Sequence, residues 1–385
     1  MEQTKAYEAL LQKFKQIAED PKPTALEWQK QTGGKIIGVS GLDVPEPLIH
    51  AAGMLPIVLL EKDGPITVAN AHVENHQCGY IRSVVDQAIL GEYDYMECLV
   101  LHDCCHIERM TGDALGMYTD GRVKVEFIYL PPALEYDTTK DYVYREFESL
   151  KTRLERISGN QISDKELRAS IAIFDRQKEL LISLYDIRRS HPGIISAVDV
   201  MNIVAAGMVM PKEGHIKMLE ELLGYLEERK TLPVSDQIPV FVHGSLCERC
   251  DTYVLETIET SGGVVVDDDL YVGSRYFSTL YNEELAPMDA LVDAYLHRRI
   301  MCPTRYEANR SYGENLLEMV ERAKAKVIVM VVVKYCEPHY YSYFSTFHTL
   351  KKTNIPEILI ETEHENAQPA QFKTRLQGCF ERLEG

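Results

Sequence analysis

The sequence predicts an α/β fold made of two parallel-sheet domains of the flavodoxin-like or Rossmann-like kind, with helical N-terminal and connecting segments. Short β-branched runs alternate with longer amphipathic segments near the start of the chain and again towards its end. This alternation is typical of parallel strands whose connecting helices cover the faces of a sheet. The length of 385 residues also favours two domains over one.

The first unit begins with helical periodicity over residues 1–32, where leucines and aromatic residues recur at helical spacing. A helix that starts near Pro45 and ends at Gly53 lies between the first two predicted strands. A longer helix over residues 78–93 precedes the third strand. The strands of this unit are predicted at residues 35–41, 56–59, 98–101 and 123–131.

The middle of the chain is charged and mostly helical in pattern, and the alternation of strands and helices restarts after it. Strands are predicted there at residues 238–246, 263–269, 327–333 and 355–363, and a helix is predicted to end the chain. We therefore expect an N-terminal α/β domain over residues 1–138, a helical connector over residues 139–232 and a C-terminal α/β domain over residues 233–385.

The composition narrows the class of protein. The net charge of −18 argues against a protein that binds the phosphates of a nucleic acid, because such a surface is basic. No apolar run reaches the roughly 18 residues that a membrane-spanning helix needs. The N-terminal segment is charged and lacks the apolar centre of a signal peptide. We expect a cytoplasmic protein that does not bind membranes.

The nine cysteines form an odd set, which argues against a disulfide framework in such a chain. The remaining explanations for these cysteines are inert thiols, metal ligands or a catalytic thiol. Cys104–Cys105, Cys247 and Cys336 each follow a predicted strand. Functional groups of parallel sheets gather at the carboxyl ends of the strands, so these cysteines are candidates for one common site.

Cys78 lies at the start of a predicted helix, where the helix dipole and free N–H groups favour a thiolate and hence a metal ligand. A half-buried structural cysteine is the alternative. The pair Cys104–Cys105 stands among His102, Asp103 and His106, and this density of soft and borderline ligands suggests a metal site, with structural thiols as the alternative. Zinc is disfavoured because zinc sites usually have paired ligand spacings at both ends.

Cys336 follows a buried strand and precedes a run rich in aromatic residues, which could line a cluster or a planar substrate or pack a domain edge. Cys247 and Cys250 form a C-x2-C pair, typical of half a zinc site or of a redox pair, and we carry both as candidate extra ligands. The remaining cysteines are Cys98 and Cys379, predicted to be inert, and Cys302, which stays unassigned.

Two nucleotide-binding motifs are absent. The sequence has no G-x4-G-K-[ST] phosphate loop, and GVSGLD near residue 38 does not match the dinucleotide pattern G-x-G-x-x-G. A [4Fe–4S] cube normally takes four thiolates. With three, one iron stays open to water or to a substrate oxygen and combines Lewis acidity with one-electron donation.

Several motifs together resemble the benzoyl-CoA reductase / 2-hydroxyacyl-CoA dehydratase family. PEPLIHAAGMLP at residues 45–56 resembles the family's P-E-x-I-x-A-A-G-x-x-P segment. Cys78 fits its first cysteine motif, CCHIER fits C-D-x-x-R with Cys105 as ligand, and YCEPHYYSYF fits F-C-[DE]-P with Cys336 as ligand. His106 stands where the family has aspartate, which keeps Cys104 open as the alternative ligand.

The resemblance is strongest to the smaller cluster-binding subunit of class I benzoyl-CoA reductases, on the segments at residues 167–180, 199–215 and 244–277. It implies a [4Fe–4S] cluster on Cys78, Cys105 and Cys336, a homologous cluster-bearing partner subunit, a separate ATPase that supplies electrons, and an aromatic acyl-CoA substrate. The implied activity is ATP-dependent reduction of benzoyl-CoA.

Three alternatives stay open beside that activity. They are a 2-hydroxyacyl-CoA dehydratase subunit that eliminates water through a ketyl radical, a double-cubane cluster reductase, and a scaffold subunit without catalysis. The proton donor is also open: His102, His106 and His339 lie beside the cysteines in sequence, and each is a candidate either for that role or for a supporting hydrogen bond.

Overall fold

The computed structural model describes residues 2–74, 76–244, 249–364 and 369–384, and it contains two four-stranded parallel sheets. The predicted α/β class with two parallel sheets is confirmed. The first sheet has the order β2-β1-β3-β4 and the second the order β6-β5-β7-β8. The strands are β1 Ile36–Ser40, β2 Leu55–Val58, β3 Cys98–His102, β4 Val125–Ile128, β5 Ile238–Gly244, β6 Gly263–Asp268, β7 Val327–Val333 and β8 Glu357–Thr362.

The central strands are apolar because helices cover both of their faces. All residues of β1, β3 and β7 are buried. In each sheet the first strand of the unit pairs with the two strands that follow it in the chain. The strand order therefore reverses beside β1 and beside β5, and such reversal points open a crevice at the carboxyl edge of a parallel sheet.

Fifteen α-helices and one short 3-10 turn at Ala69–Ala71 are found in the described residues. The helices are α1 Glu2–Glu19, α2 Lys22–Thr32, α3 Glu46–Ala51, α4 Gly79–Ile89, α5 His106–Tyr118, α6 Thr139–Ser158, α7 Asp164–Ser190, α8 Ala197–Val209, α9 Lys212–Arg229, α10 Thr252–Thr260, α11 Ser274–Phe277, α12 Pro287–Leu296, α13 Tyr312–Arg322, α14 Glu337–Leu350 and α15 Pro369–Glu384.

The helices of the middle segment share a hydrophobic core with both sheets. One continuous cluster of buried side chains includes Ile36 of β1, Leu181 of α7, Val204 of α8 and Val329 of β7. The start of α7 follows local capping chemistry, since Ser163 forms a capping box with Glu166 there. The division into three domains remains a prediction.

The length and apolar character of each helix decide whether it could cross a membrane. Across the described residues, no helix is both long enough and apolar enough to cross a bilayer. The longest helix, α7, has 27 residues but carries charged side chains throughout.

Candidate metal centre

The carboxyl edges of the two sheets meet at a cavity lined by four cysteines. Cys78 immediately precedes α4, Cys104 and Cys105 connect β3 to α5, and Cys336 connects β7 to α14. The segment after α12 adds Thr304 to the wall. The other lining side chains are mostly apolar or aromatic and include Tyr80, Ile81, Ile107, Tyr335 and Pro338.

Cys104, Cys105 and Glu108 place their ligand atoms within 4.8 Å of one another. Cys105 is the N-cap of α5, and its Sγ accepts a hydrogen bond from the Glu108 backbone N–H at 3.5 Å. Cys104 Sγ instead donates to Glu108 Oε2 at 2.6 Å. The two adjacent thiols therefore occupy different hydrogen-bonding positions, one accepting at a helix N-terminus and the other donating to a carboxylate.

Glu108 was not anticipated as a site residue. It is only 3% exposed, and burial raises the pKa of its carboxyl to about 7, against the lowering effect of the bonds from Cys104 and Ser40. Ser40 at the end of β1 donates to Glu108 Oε1 and shares a hydrogen bond of 2.7 Å with the Tyr80 hydroxyl. The sequence does not mark this residue, because its burial and its bond from Ser40, at the end of another strand, arise only in the assembled sheet.

A network of buried polar side chains lies behind Cys336. His339, three residues further along α14, is fully buried, and burial lowers the pKa of its imidazole to about 3. Its ring lies 5.7 Å from that of His243, centroid to centroid. His243 donates through Nδ1 to Asp269 Oδ2 at 2.8 Å, and Arg275 donates to the same oxygen at 3.0 Å.

Asp269 is the charged centre of this network of buried polar side chains. Burial opposes its ionisation, but the charges of His243 and Arg275 and the hydrogen bonds that it accepts lower its pKa to about 2. Its other oxygen accepts the backbone N–H of Gly244 at 3.0 Å. His339 joins this network by ring contact alone, since its two ring nitrogens have no hydrogen-bond partner among the described residues.

The three histidines proposed as proton donors occupy different places. His106 lines the cysteine cavity, is exposed, and lies 3.8 Å from Glu337 Oε2 through its Nδ1. His102 and His339 do not line it. His102 is buried, its Nδ1 lies 3.7 Å from Asp43 Oδ2, and burial lowers the pKa of its ring despite that carboxylate.

Of the remaining cysteines, those that the structure describes do not line this cavity. Cys250 is buried beside a separate cleft with Arg249 and His364, and Cys247 lies outside the described residues. Cys302 Sγ lies 3.0 Å from Thr304 Oγ1. The last two are Cys98, where burial raises the pKa of the thiol to about 12, and Cys379, where burial also raises it.

The donor set fits a thiolate-bound metal cluster. Thiolates are the ligands of iron–sulfur clusters, and the cavity places sulfur atoms from both halves of the chain against an apolar wall. A low-dielectric wall around a cluster is one of the factors that set its redox potential. The residues suited to hold a cluster are Cys78, Cys336 and one of the adjacent pair Cys104 and Cys105.

The fold and the site together define an α/β protein with a thiol-lined centre between two parallel sheets. The family described as 2-hydroxyglutaryl-CoA dehydratase, D-component, matches residues 42–383. This chain belongs to that family. The family resemblance drawn from the cysteine motifs is thereby confirmed.

Characterised relatives are subunits of two kinds of enzyme. The chain is 27% identical to the (R)-phenyllactyl-CoA dehydratase beta subunit of Clostridium sporogenes, covering 96% of this chain and 97% of the relative. It is 27% identical to a benzoyl-CoA reductase subunit of Thauera aromatica, covering 82% of each. It is 22% identical to the (R)-2-hydroxyglutaryl-CoA dehydratase beta subunit of Acidaminococcus fermentans, covering 98% of this chain and 100% of the relative.

Proposed function

We propose that this chain is an iron–sulfur cluster-binding subunit of an enzyme that delivers single electrons to an acyl-CoA thioester. The observation that carries the proposal is the convergence of Cys78, Cys104, Cys105 and Cys336 on one apolar cavity. We assign Cys78, Cys105 and Cys336 as the ligands of a [4Fe–4S] cluster. A cluster with three thiolate ligands supplies one-electron transfer and an open iron.

The protein's own side chains hold and shield that centre. Ile81, Ile107 and Pro338 give the cavity an apolar wall beside the cysteines. Glu108, held by Ser40 and Cys104, presents a carboxyl group whose pKa of about 7 allows it to bear a proton next to the cysteines. His106 presents a second titratable group at the exposed side of the cavity.

The first candidate reaction is reduction of an aromatic acyl-CoA, as in benzoyl-CoA reductase. It is supported by the likeness to the reductase subunit of Thauera aromatica and by the segments at residues 167–180 and 199–215. The electrons would come from a separate ATPase, and a homologous cluster-bearing subunit would complete the enzyme. The second candidate is dehydration of a 2-hydroxyacyl-CoA, supported by the phenyllactyl-CoA dehydratase beta subunit, which matches over 96% of this chain.

The decisive measurement is iron and acid-labile sulfide in anaerobically purified protein, followed by electron paramagnetic resonance after reduction. About four irons per chain would support one cubane, and roughly twice that number would indicate a double-cubane cluster. Absence of iron, or zinc in its place, would refute the assignment and leave a scaffold role.

Product analysis separates the two reactions once iron is found. The chain is combined with its partner subunits and ATPase and supplied with either benzoyl-CoA or a 2-hydroxyacyl-CoA. A cyclic diene thioester supports the reductase, and an enoyl-CoA formed by loss of water supports the dehydratase.

A further inference from the structure

A cleft on the second half of the chain is rich in arginine, although the chain as a whole carries a net charge of −18. The cleft has a volume of about 560 Å³, within the range of ligand-binding pockets. It lies between the segment that follows α12 and the outer face of α13. Its cationic lining residues are Arg298, Arg299, Arg310 and Arg322.

Arg299 differs from the other three arginines because its charge is not used in the fold. Arg298 pairs with Asp43, Arg310 with Glu307 and Arg322 with Asp267. Arg299 is exposed, and its guanidinium makes no ion pair or hydrogen bond to any side chain or carbonyl in the part of the chain that the structure describes.

The backbone that carries Arg299 is held firmly on three sides. Its N–H donates to Thr279 Oγ1 at 3.1 Å. Its carbonyl accepts from Arg310 Nη2 at 2.9 Å and from Asn315 Nδ2 at 3.3 Å. A turn fixed in this way presents its side chain at a defined place, which lowers the ordering cost of binding a ligand.

The surroundings of Arg299 are electropositive. Arg189 and Arg322 share one carboxylate, the buried Asp267, at 2.7 and 3.2 Å. Burial, and next the charges of Arg322 and Arg189, lower the pKa of Arg299, and the nearby carboxylates do not offset them. Two carboxylates also line the cleft, Glu307, which pairs with Arg310, and Glu318, so the four arginines outnumber them.

We propose that this cleft binds a phosphate group of the nucleotide end of an acyl-CoA, with Arg299 as the contacting residue. This inference rests on the proposed function for the acyl-CoA substrate class. Planar guanidinium groups bind phosphate oxygens through paired charge-assisted hydrogen bonds. An unpaired arginine among other arginines provides such a contact without breaking any ion pair of the fold.

One segment of the polypeptide contributes to both the cleft and the cysteine cavity. The segment after α12 carries Arg299 into the cleft and Thr304 into the wall of the cysteine cavity. Five residues span at most about 18 Å. The Cα atoms of Arg299 and Thr304 are therefore no further apart than that, and the cleft and the cysteine cavity are neighbouring features of one segment.

The test is calorimetric titration of this 385-residue chain with coenzyme A, 3′-dephospho-coenzyme A and inorganic phosphate. Arg299→Ala is expected to weaken coenzyme A binding about tenfold, the scale of one charge-assisted hydrogen bond. The affinity of Arg299→Lys for coenzyme A should lie between those of the wild type and Arg299→Ala, because lysine keeps the charge but not the paired geometry.

The matched control is Arg145→Ala, which removes another exposed arginine without an ion pair among the described residues, on α6 and outside the cleft. It should bind coenzyme A like the wild type. If the wild type binds 3′-dephospho-coenzyme A as weakly as Arg299→Ala binds coenzyme A, the 3′-phosphate is the group contacted. If the wild type binds 3′-dephospho-coenzyme A as tightly as coenzyme A, and Arg299→Ala weakens the binding of both, the diphosphate is the group contacted.

Three results would overturn the proposal: no binding of coenzyme A by the wild type, equal affinity in Arg299→Ala, or binding of inorganic phosphate alone. Iron content is measured on the same samples. Iron without coenzyme A binding removes this inference and leaves the proposed function intact. Coenzyme A binding without iron removes the cluster assignment and leaves the phosphate site.

Discussion

At the scale of single residues, the two adjacent thiols after β3 have opposite hydrogen-bonding roles. Cys105 Sγ accepts a backbone N–H at the start of α5, whereas Cys104 Sγ donates to the Glu108 carboxylate. A metal ligand must be a thiolate, and a sulfur that accepts an N–H bond is arranged for that form. The geometry therefore favours Cys105 over Cys104 as the ligand.

We expect Cys105→Ser to lose most of its iron and Cys104→Ser to retain it. Iron and acid-labile sulfide after anaerobic reconstitution measure the difference. Cys98→Ala is the control, because Cys98 is buried in β3 and does not line the cavity. Full iron in Cys105→Ser together with loss in Cys104→Ser would reverse the assignment.

The cysteines could be found from sequence because each follows a recognisable strand or begins a helix. Glu108 and Asp269 could not be found in this way. Their roles depend on burial and on partners from distant strands: Ser40 contacts Glu108, and His243 contacts Asp269. Such pairings arise only when the sheets are assembled, and a single sequence carries no local signal for them.

At the scale of helices, α7, α8 and α9 are joined by one buried histidine. His215 of α9 bonds through Nε2 to the carbonyl of Ile203 at 2.9 Å and through Nδ1 to Gln177 Nε2 at 2.9 Å. The helical pattern of these segments was predicted from their periodicity. The close approach at Gly207 was not, because only the packed helices show it.

Gly207→Ala should destabilise the chain. A Cβ at Gly207 would lie 2.4 Å from His215 Cε1 and 2.8 Å from Gln177 Nε2, so the buried ring or the helices must shift. Overpacking of this kind costs about 1–3 kcal/mol of unfolding free energy. Urea denaturation of the apo chain measures it.

Gly224→Ala on α9 is the matched control. A Cβ there meets no atom within 4 Å, so alanine should raise the unfolding free energy by up to about 1 kcal/mol through helix propensity. Equal effects of the two substitutions would show that the contact with His215 does not limit the packing.

His215 should also make stability depend on pH. Burial lowers the pKa of its ring from 6.5 to about 3, so the unfolded chain takes up a proton below pH 6.5 and the folded chain does not. The contribution of His215 is complete above pH 6.5 and is lost as the pH falls towards 3. Near pH 4.5 the loss should be about 3 kcal/mol.

Unfolding free energies of the apo wild type and of His215→Gln, measured at several pH values, isolate this contribution. The variant lacks the buried titrating group, so its unfolding free energy should fall less steeply below pH 6.5. Parallel curves for the two proteins would exclude His215 as the cause.

At the scale of the whole molecule, a buried ion cluster connects the two halves beside the cysteine cavity. Asp43 follows β1 of the first sheet, whereas Arg298 and Arg305 follow α12. Asp43 pairs with Arg298 and lies 3.8 Å from Arg305 Nη1. Burial opposes ionisation of Asp43, but Arg298, His102 and Arg305 together lower its pKa. The two parallel sheets were predictable from the alternation of strands with helices. The ion cluster was not, because it joins residues separated by more than half of the sequence.

Asp43→Asn should therefore affect stability and cluster retention together. It leaves two buried guanidinium groups without their shared carboxylate, and breaking a buried pair in this way costs about 3–5 kcal/mol. Asp94→Asn is the matched control, since Asp94 pairs with Arg122 within the first half and both side chains are more than 40% exposed, where an ion pair contributes at most about 1 kcal/mol. Urea denaturation and iron content, measured on both variants, separate the two cases. Because Cys105 belongs to one half and Cys336 to the other, iron should be lost from Asp43→Asn at urea concentrations where Asp94→Asn keeps it. Equal iron retention in the two variants would mean that the halves are held in register by the shared hydrophobic core alone.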